Sequence, residues 1–186
     1  NNQEIIDQVI MAYQIAEQLL VPIMVCFDGF RLSHTMMPVE VPEQKIVDSF
    51  LPPFSSPYQL DPEKPVNINP VVMGDPLPDG EGNLCPSYMG FRFRLQETLE
   101  EAFPVIARTG KEFGDLFGRS YEDCFYRYRV DDADFLFLTM GSLASEASET
   151  VDLLREEGIR AGVIGLRVFR PRSEERRVGK ECRSRW

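Results

Sequence analysis

Val-Pro-Ile-Met-Val-Cys-Phe-Asp-Gly-Phe-Arg-Leu-Ser-His, residues 21–34, decides how the rest of the chain is read. An apolar run rich in β-branched residues stops at Asp28-Gly29 and passes into a polar tip carrying Arg31, Ser33 and His34. Such a run predicts a buried strand of a parallel sheet over Ile23–Phe27. Ligands of open α/β sheets gather beyond the carboxyl ends of strands, so the tip Asp28–His34 is the candidate site.

Upstream, apolar residues at i, i+3 and i+4 predict a helix over Gln3–Leu20, with Asn1 or Asn2 as N-cap. Pro22 forbids its continuation. Helix, turn and buried strand together form one unit of an α/β layer. The opening Asn1-Asn2-Gln3-Glu4 lies at the mouth of this helix with no initiator Met, which reads as a chain cut at its front.

Downstream, Pro42-Glu43-Gln44 opens a short helix with Ile46, Val47 and Phe50 on one side, ended by Pro52-Pro53. Residues 52–87 are dense in Pro, Gly, Asp and Asn and predict a long irregular connection, whose Val71, Val72, Met73 and Leu84 favour wrapping a neighbouring unit. Tyr88–Phe117 carries a helical pattern, interrupted or bent at Pro104. Gly110, Gly114 and Gly118, four apart, allow either close packing against another helix or a fraying end.

A second α/β unit starts at Asp134. Phe135–Met140 is predicted as a buried strand, Gly141-Ser142 as a turn, and Leu143–Glu157 as a helix with Val151, Leu153 and Leu154 apolar and Gly158 closing it. Ala161–Val168 follows as the next strand. Strand, helix and strand make a βαβ unit, which demands parallel strands and a right-handed crossover.

The totals exclude several classes. The 186 residues, 43% hydrophobic, suffice for one large domain or two small ones. No apolar run approaches the roughly 20 residues that cross a bilayer, and no signal-peptide pattern opens the chain. Arg172–Trp186 lacks periodicity, holds the only Trp, and resembles the translation of a sequencing-adapter read-through rather than a genuine basic tail. It carries six Lys/Arg and three Asp/Glu, so the first 171 residues hold 14 basic and 27 acidic groups, a net charge of −13. Such acidity disfavours nucleic acid and anionic membranes as partners. With Cys182 set aside in that tail, the remaining Cys26, Cys85 and Cys124 match no zinc or iron–sulfur spacing. Cys26, inside the expected strand, reads as a small core residue, and the odd, scattered set suits a reducing cytoplasm.

Two features carry chemistry. Gly141-Ser142 leads into a helix N-terminus, which suits either a phosphate or an ordinary turn capped by Ser142; Gly-x-Gly-x-x-Gly and Walker patterns are absent. His34, the only histidine, stands near Asp28, Arg31 and Ser33. It serves either as acid/base or ligand donor, or in a structural turn where Asp28 accepts backbone N–H groups and Ser33 or His34 caps the next segment.

Six blocks resemble one family in its own order over residues 1–171. They are Asp28-Gly29-Phe30 with Leu32-Ser33-His34, Pro38-Val39-Glu40 with Phe50–Phe54, Lys111–Gly114, Phe117–Ser120, Met140–Ser142 and Leu166–Pro171. Together they are similar to the alpha subunit of pyruvate:ferredoxin oxidoreductase.

The resemblance implies an α/β internal fragment. Residues 1–60 would be the end of a thiamine-diphosphate-binding, pyrimidine-type domain. Residues 61–130 would be a linker and long helix, and 131–171 the start of a transketolase C-terminal-like βαβ domain. The family oxidatively decarboxylates a 2-oxoacid on thiamine diphosphate with Mg2+, passes the acyl group to coenzyme A, and sends electrons through [4Fe-4S] clusters to ferredoxin. The cofactors perform the hard chemistry, while protein groups orient and polarise. The family's catalytic glutamate and its substrate-gripping threonine and arginine would lie upstream of Asn1, and the diphosphate, metal and cluster ligands in other domains or in beta, gamma and delta subunits. The fragment alone would then be inactive and bind none of these groups. Its own contribution would be Asp28, Gly29, Arg31, Ser33 and His34, lining the domain edge near the cofactor. Asn69–Cys85 is longer and richer in Gly and Pro than the family pattern. Rival readings are another thiamine enzyme, such as the beta subunit of a 2-oxoacid dehydrogenase, and a non-catalytic α/β interaction module.

Overall fold

The structure, a computed structural model, describes residues 1–55 and 88–171. The expected connection from residue 56 onward, including Asn69–Cys85, lies outside the described residues, as does the stretch from Arg172.

The first helix, α1, spans Asn2–Leu19. The Asn1 side chain accepts the Glu4 N–H at 2.9 Å, so one of the orphan donors at the helix start is satisfied. Leu20 ends it in the left-handed region, φ 54°. Asp7, Met11 and Ile15, each four apart, form its buried stripe. Helix α2 (Gln44–Phe50) follows Pro42 as expected, and α3 runs unbroken over Tyr88–Phe117. Pro104 neither interrupts nor ends α3. It sits on the exposed face, where the carbonyl deprived of its N–H can turn to water.

Met11, Ile15, Phe50 and Phe113 bring α1, α2 and α3 onto one core. Phe113 stacks on Phe117 at 4.2 Å between centroids, and Phe50 meets Phe113 edge-on at 5.5 Å. The glycine steps near the end of α3 serve neither a second helix nor fraying. A Cβ on Gly110 would strike the Tyr121 carbonyl and one on Gly114 would press on Ser120, so they admit the chain's own return after Gly118.

That return enters a three-stranded sheet of order β1-β3-β2, with β1 Phe125–Tyr128, β2 Phe135–Met140 and β3 Ala161–Leu166. β2 and β3 pair in parallel, Phe135 opposite Ala161 and Met140 opposite Leu166, bridged by α4 (Leu143–Glu156). β1, which periodicity did not predict, pairs antiparallel with β3. Val151 of α4 buries against Ala161 and Val163 of β3. Gly158, φ 86°, lies just past α4 and turns the chain into β3.

Two burial expectations are corrected. Ile23–Phe27 forms no strand: the run has no regular structure, and Met24, Cys26 and Phe27 are exposed, so Cys26 is not a core residue. A strand needs a ladder partner, and none of the described strands pairs with this segment. β2 is a strand, as expected, but all of its residues except Thr139 are exposed; the sheet's buried strand is the central one, β3.

Candidate functional site

The tip Asp28–His34 is a tight turn. Arg31 N–H donates to the Gly29 carbonyl at 2.7 Å across Phe30, which is held at φ 59°. A bulky residue in that region is strained unless its surroundings hold it there. Two bonds do so: Phe30 N–H donates to Ser33 Oγ at 2.9 Å, and His34 N–H to the Phe30 carbonyl at 3.1 Å. The Phe30 and His34 rings lie 5.4 Å apart, and Ser33 Oγ stands 2.8 Å from His34 Nδ1.

The base of the tip is fastened elsewhere. The Ser142 backbone N–H, at the start of α4, donates to the Asp28 carboxylate from 114 residues away in sequence. Hydrogen bonds from Ser142, hydroxyl and backbone, hold the Asp28 carboxyl below its ordinary value of 3.8. Gly141 approaches so closely that a Cβ there would lie 2.6 Å from Asp28 Oδ2, and its φ is 67°. Only glycine serves that position. Arg31 reaches Glu146 in the first turn of α4, so the tip carries two contacts to one helix.

This geometry corrects one expectation at Gly141-Ser142. The Ser142 side chain makes no cap hydrogen bond; the anion at the helix N-terminus is Asp28. The structural-turn reading holds in part: Asp28 accepts a backbone N–H, though from α4, and Ser33 bonds back to Phe30 rather than capping the next segment. A diphosphate does not fit this N-terminus, because the carboxylate already takes its N–H and would repel a second anion. Among the described residues no group of three His, Cys, Asp or Glu is arranged to hold a metal ion.

The other quoted blocks also meet one another. Asp7 is fully buried and accepts four bonds: Arg119 Nε at 2.7 Å and Nη2 at 3.0 Å, Tyr121 OH at 2.7 Å, and Gln3 Nε2 at 3.1 Å. Arg119 also reaches Glu40 at 2.9 Å. Burial, and the bond to the Asp7 carboxylate, push the Tyr121 phenol well above its ordinary value. Arg167 at the end of β3 bonds Glu4 of α1 at 2.9 Å and lies 5.1 Å from the Tyr121 ring. Sequence reasoning missed Asp7; its signal was an acid in register with Met11 and Ile15 on the apolar stripe.

Helices packed on a helical core, joined through polar latches to a βαβ sheet, define an α/β chain built from two segments. Comparison with known proteins finds two matched stretches, which leave α3 and β1 between them. Residues 1–87 match the family described as pyruvate flavodoxin/ferredoxin oxidoreductase, thiamine diP-binding, and residues 133–182 match the pyruvate:ferredoxin oxidoreductase core domain II. The second match runs past Pro171 into the stretch that composition sets apart. Over both segments the chain is thus similar to the pyruvate:ferredoxin oxidoreductase family.

Similar relatives include ketoisovalerate oxidoreductase subunit VorA of Pyrococcus horikoshii, 41% identical over 94% of this chain and 42% of the relative. Pyruvate synthase subunit PorA of Methanothermobacter thermautotrophicus is 36% identical over 92% of this chain and 42% of the relative. PorA of Pyrococcus furiosus is 39% identical over 92% and 41%. The chain thus spans less than half the length of these relatives. Among the described residues no helix is long and apolar enough to cross a membrane.

Proposed function

We propose that this chain works as part of the alpha subunit of a 2-oxoacid:ferredoxin oxidoreductase, with the Asp28–His34 tip lining the domain edge beside thiamine diphosphate. The observation that carries this reading is positional. The tip lies within the segment matching the thiamine-diphosphate-binding family and is clamped onto α4, within the segment matching core domain II. When bound, the cofactor supplies stabilisation of the carbanion left by decarboxylation. What this chain supplies is a strained, pre-set turn presenting Ser33 and His34, with Asp28 and Arg31 as its anchors.

The complete assembly would include Mg2+, [4Fe-4S] clusters and coenzyme A held by other domains or subunits, with ferredoxin as electron acceptor. Both pyruvate synthase and ketoisovalerate oxidoreductase subunits are among the relatives, so the 2-oxoacid is chosen by experiment. The complete complex containing this chain should reduce ferredoxin in the presence of coenzyme A and either pyruvate or ketoisovalerate. His34→Ala in that complex should lower turnover or weaken thiamine diphosphate or coenzyme A binding. A variant unchanged in all three would remove the tip from the active site.

A further inference from the structure

The tip is hydrogen-bonded in series. The Asp28 carboxylate is held on α4, Gly29 and Phe30 make the strained bend, Phe30 N–H donates to Ser33 Oγ, and Ser33 Oγ meets His34 Nδ1. A serine hydroxyl has two lone pairs and one hydrogen. Ser33 Oγ accepts from Phe30 with one lone pair, which leaves its hydrogen and a second lone pair facing Nδ1, and accepting from Phe30 makes the hydroxyl the better donor. With that hydrogen pointed at Nδ1, the ring nitrogen is the acceptor and the neutral ring carries its proton on Nε2. The ring is exposed, and no partner of Nε2 is found among the described residues.

We propose that Asp28 and Ser33 are positioning residues that hold His34 in its Nε2–H form, presenting that N–H to an acceptor oxygen of the 2-oxoacid or of coenzyme A. This rests on the active-site placement proposed above and adds the chemistry the tip would recognise: a carboxylate, carbonyl or phosphoryl oxygen rather than a cation or an apolar group. The bend at Phe30 matters because an unanchored chain would relax to negative φ and carry Ser33 away from the Phe30 N–H. Gly141 is part of the same device, since any side chain there would displace the carboxylate.

The test uses the complete complex carrying [15N]histidine, with His34→Asn to assign the resonances, at alkaline pH where imidazole is neutral. His34 should show a hydrogen-bonded, proton-free Nδ1 and a protonated Nε2. Ser33→Ala should shift Nδ1 toward the position of a free ring nitrogen, and Asp28→Ala should do the same while accelerating amide exchange at Phe30. Asp28→Asn, which keeps an acceptor oxygen for Ser142 N–H, should restore most of the protection. Pyruvate and coenzyme A are then added separately, and the one that moves the Nε2–H signal identifies the source of the oxygen. Both positioning variants should lower kcat by about tenfold or more, with the double variant no worse than the worse single one.

A proton on Nδ1, unchanged Phe30 exchange in Asp28→Ala, or an Nε2–H signal indifferent to both ligands would overturn the proposal. Absence of 2-oxoacid-dependent ferredoxin reduction in the wild-type complex would instead sink the functional reading, while the resonance and exchange measurements still judge the hydrogen-bonded series.

Discussion

Asp7 and Asp28 are both aspartates that tie distant parts of the chain together, yet they do so in opposite settings. Asp7 is fully buried, faces a bidentate Arg119 and the Tyr121 hydroxyl, and joins α1 to the return after α3. Asp28 is only partly covered, meets a backbone N–H at the start of α4, and supports a turn whose remaining residues, Leu32 apart, are exposed. The contrast separates a pin from a hinge point. A buried carboxylate with every oxygen engaged resists change, whereas a partly solvated one on a helix terminus can release without leaving a charge stranded.

The largest effect should come from breaking the pin. Asp7→Ala leaves the Arg119 guanidinium and the Tyr121 hydroxyl facing a dry gap, at a cost of about 3 kcal/mol in urea unfolding. Next is Gly110→Ala, whose methyl meets the Tyr121 carbonyl and should cost about 2 kcal/mol by the same measurement. Gly141→Ala adds a methyl against Asp28 and forces a non-glycine residue to φ 67°. It should cost roughly 1–2 kcal/mol and accelerate amide exchange at Ser142.

Acid should probe the hinge point through the exchange of one amide. The folded Asp28 carboxyl titrates below its ordinary 3.8, so its contribution is fully present above that value and is lost as pH falls through the lower folded value. Ser142 amide protection should therefore be flat through the neutral range and fall only under strongly acidic conditions. Loss near neutrality would refute the bond. The smallest effect belongs to Arg31→Ala: both Arg31 and Glu146 are substantially exposed, so the change in stability should stay under about 0.5 kcal/mol and vanish in high salt.

Much of this was legible in the sequence, because local patterns are local physics. α1, α2, α3 and the β2–α4–β3 unit follow from apolar spacing and from Pro and Gly stops. β1 escaped because Phe-Tyr-Arg-Tyr mixes aromatic and charged residues over four positions and its partner lies some forty residues on. The burial expected of Ile23–Phe27 failed because apolarity measures what a segment could cover, while a strand also needs a neighbour to hydrogen-bond. At the tip, the residues were identifiable but the Asp28–Ser142 bond was not. No periodicity links positions 114 residues apart, and a serine before a helix reads as its own cap.

The exposure of β2 bears on how this span behaves in a test tube. Phe135-Leu136-Phe137-Leu138-Thr139-Met140 has no charge and no proline, and in the described sheet it hydrogen-bonds only to β3. A bare, greasy edge of that kind templates lateral stacking of identical chains into insoluble fibrils. A lysine at Leu138, 72% exposed, would act as a gatekeeper and keep the purified polypeptide dispersed.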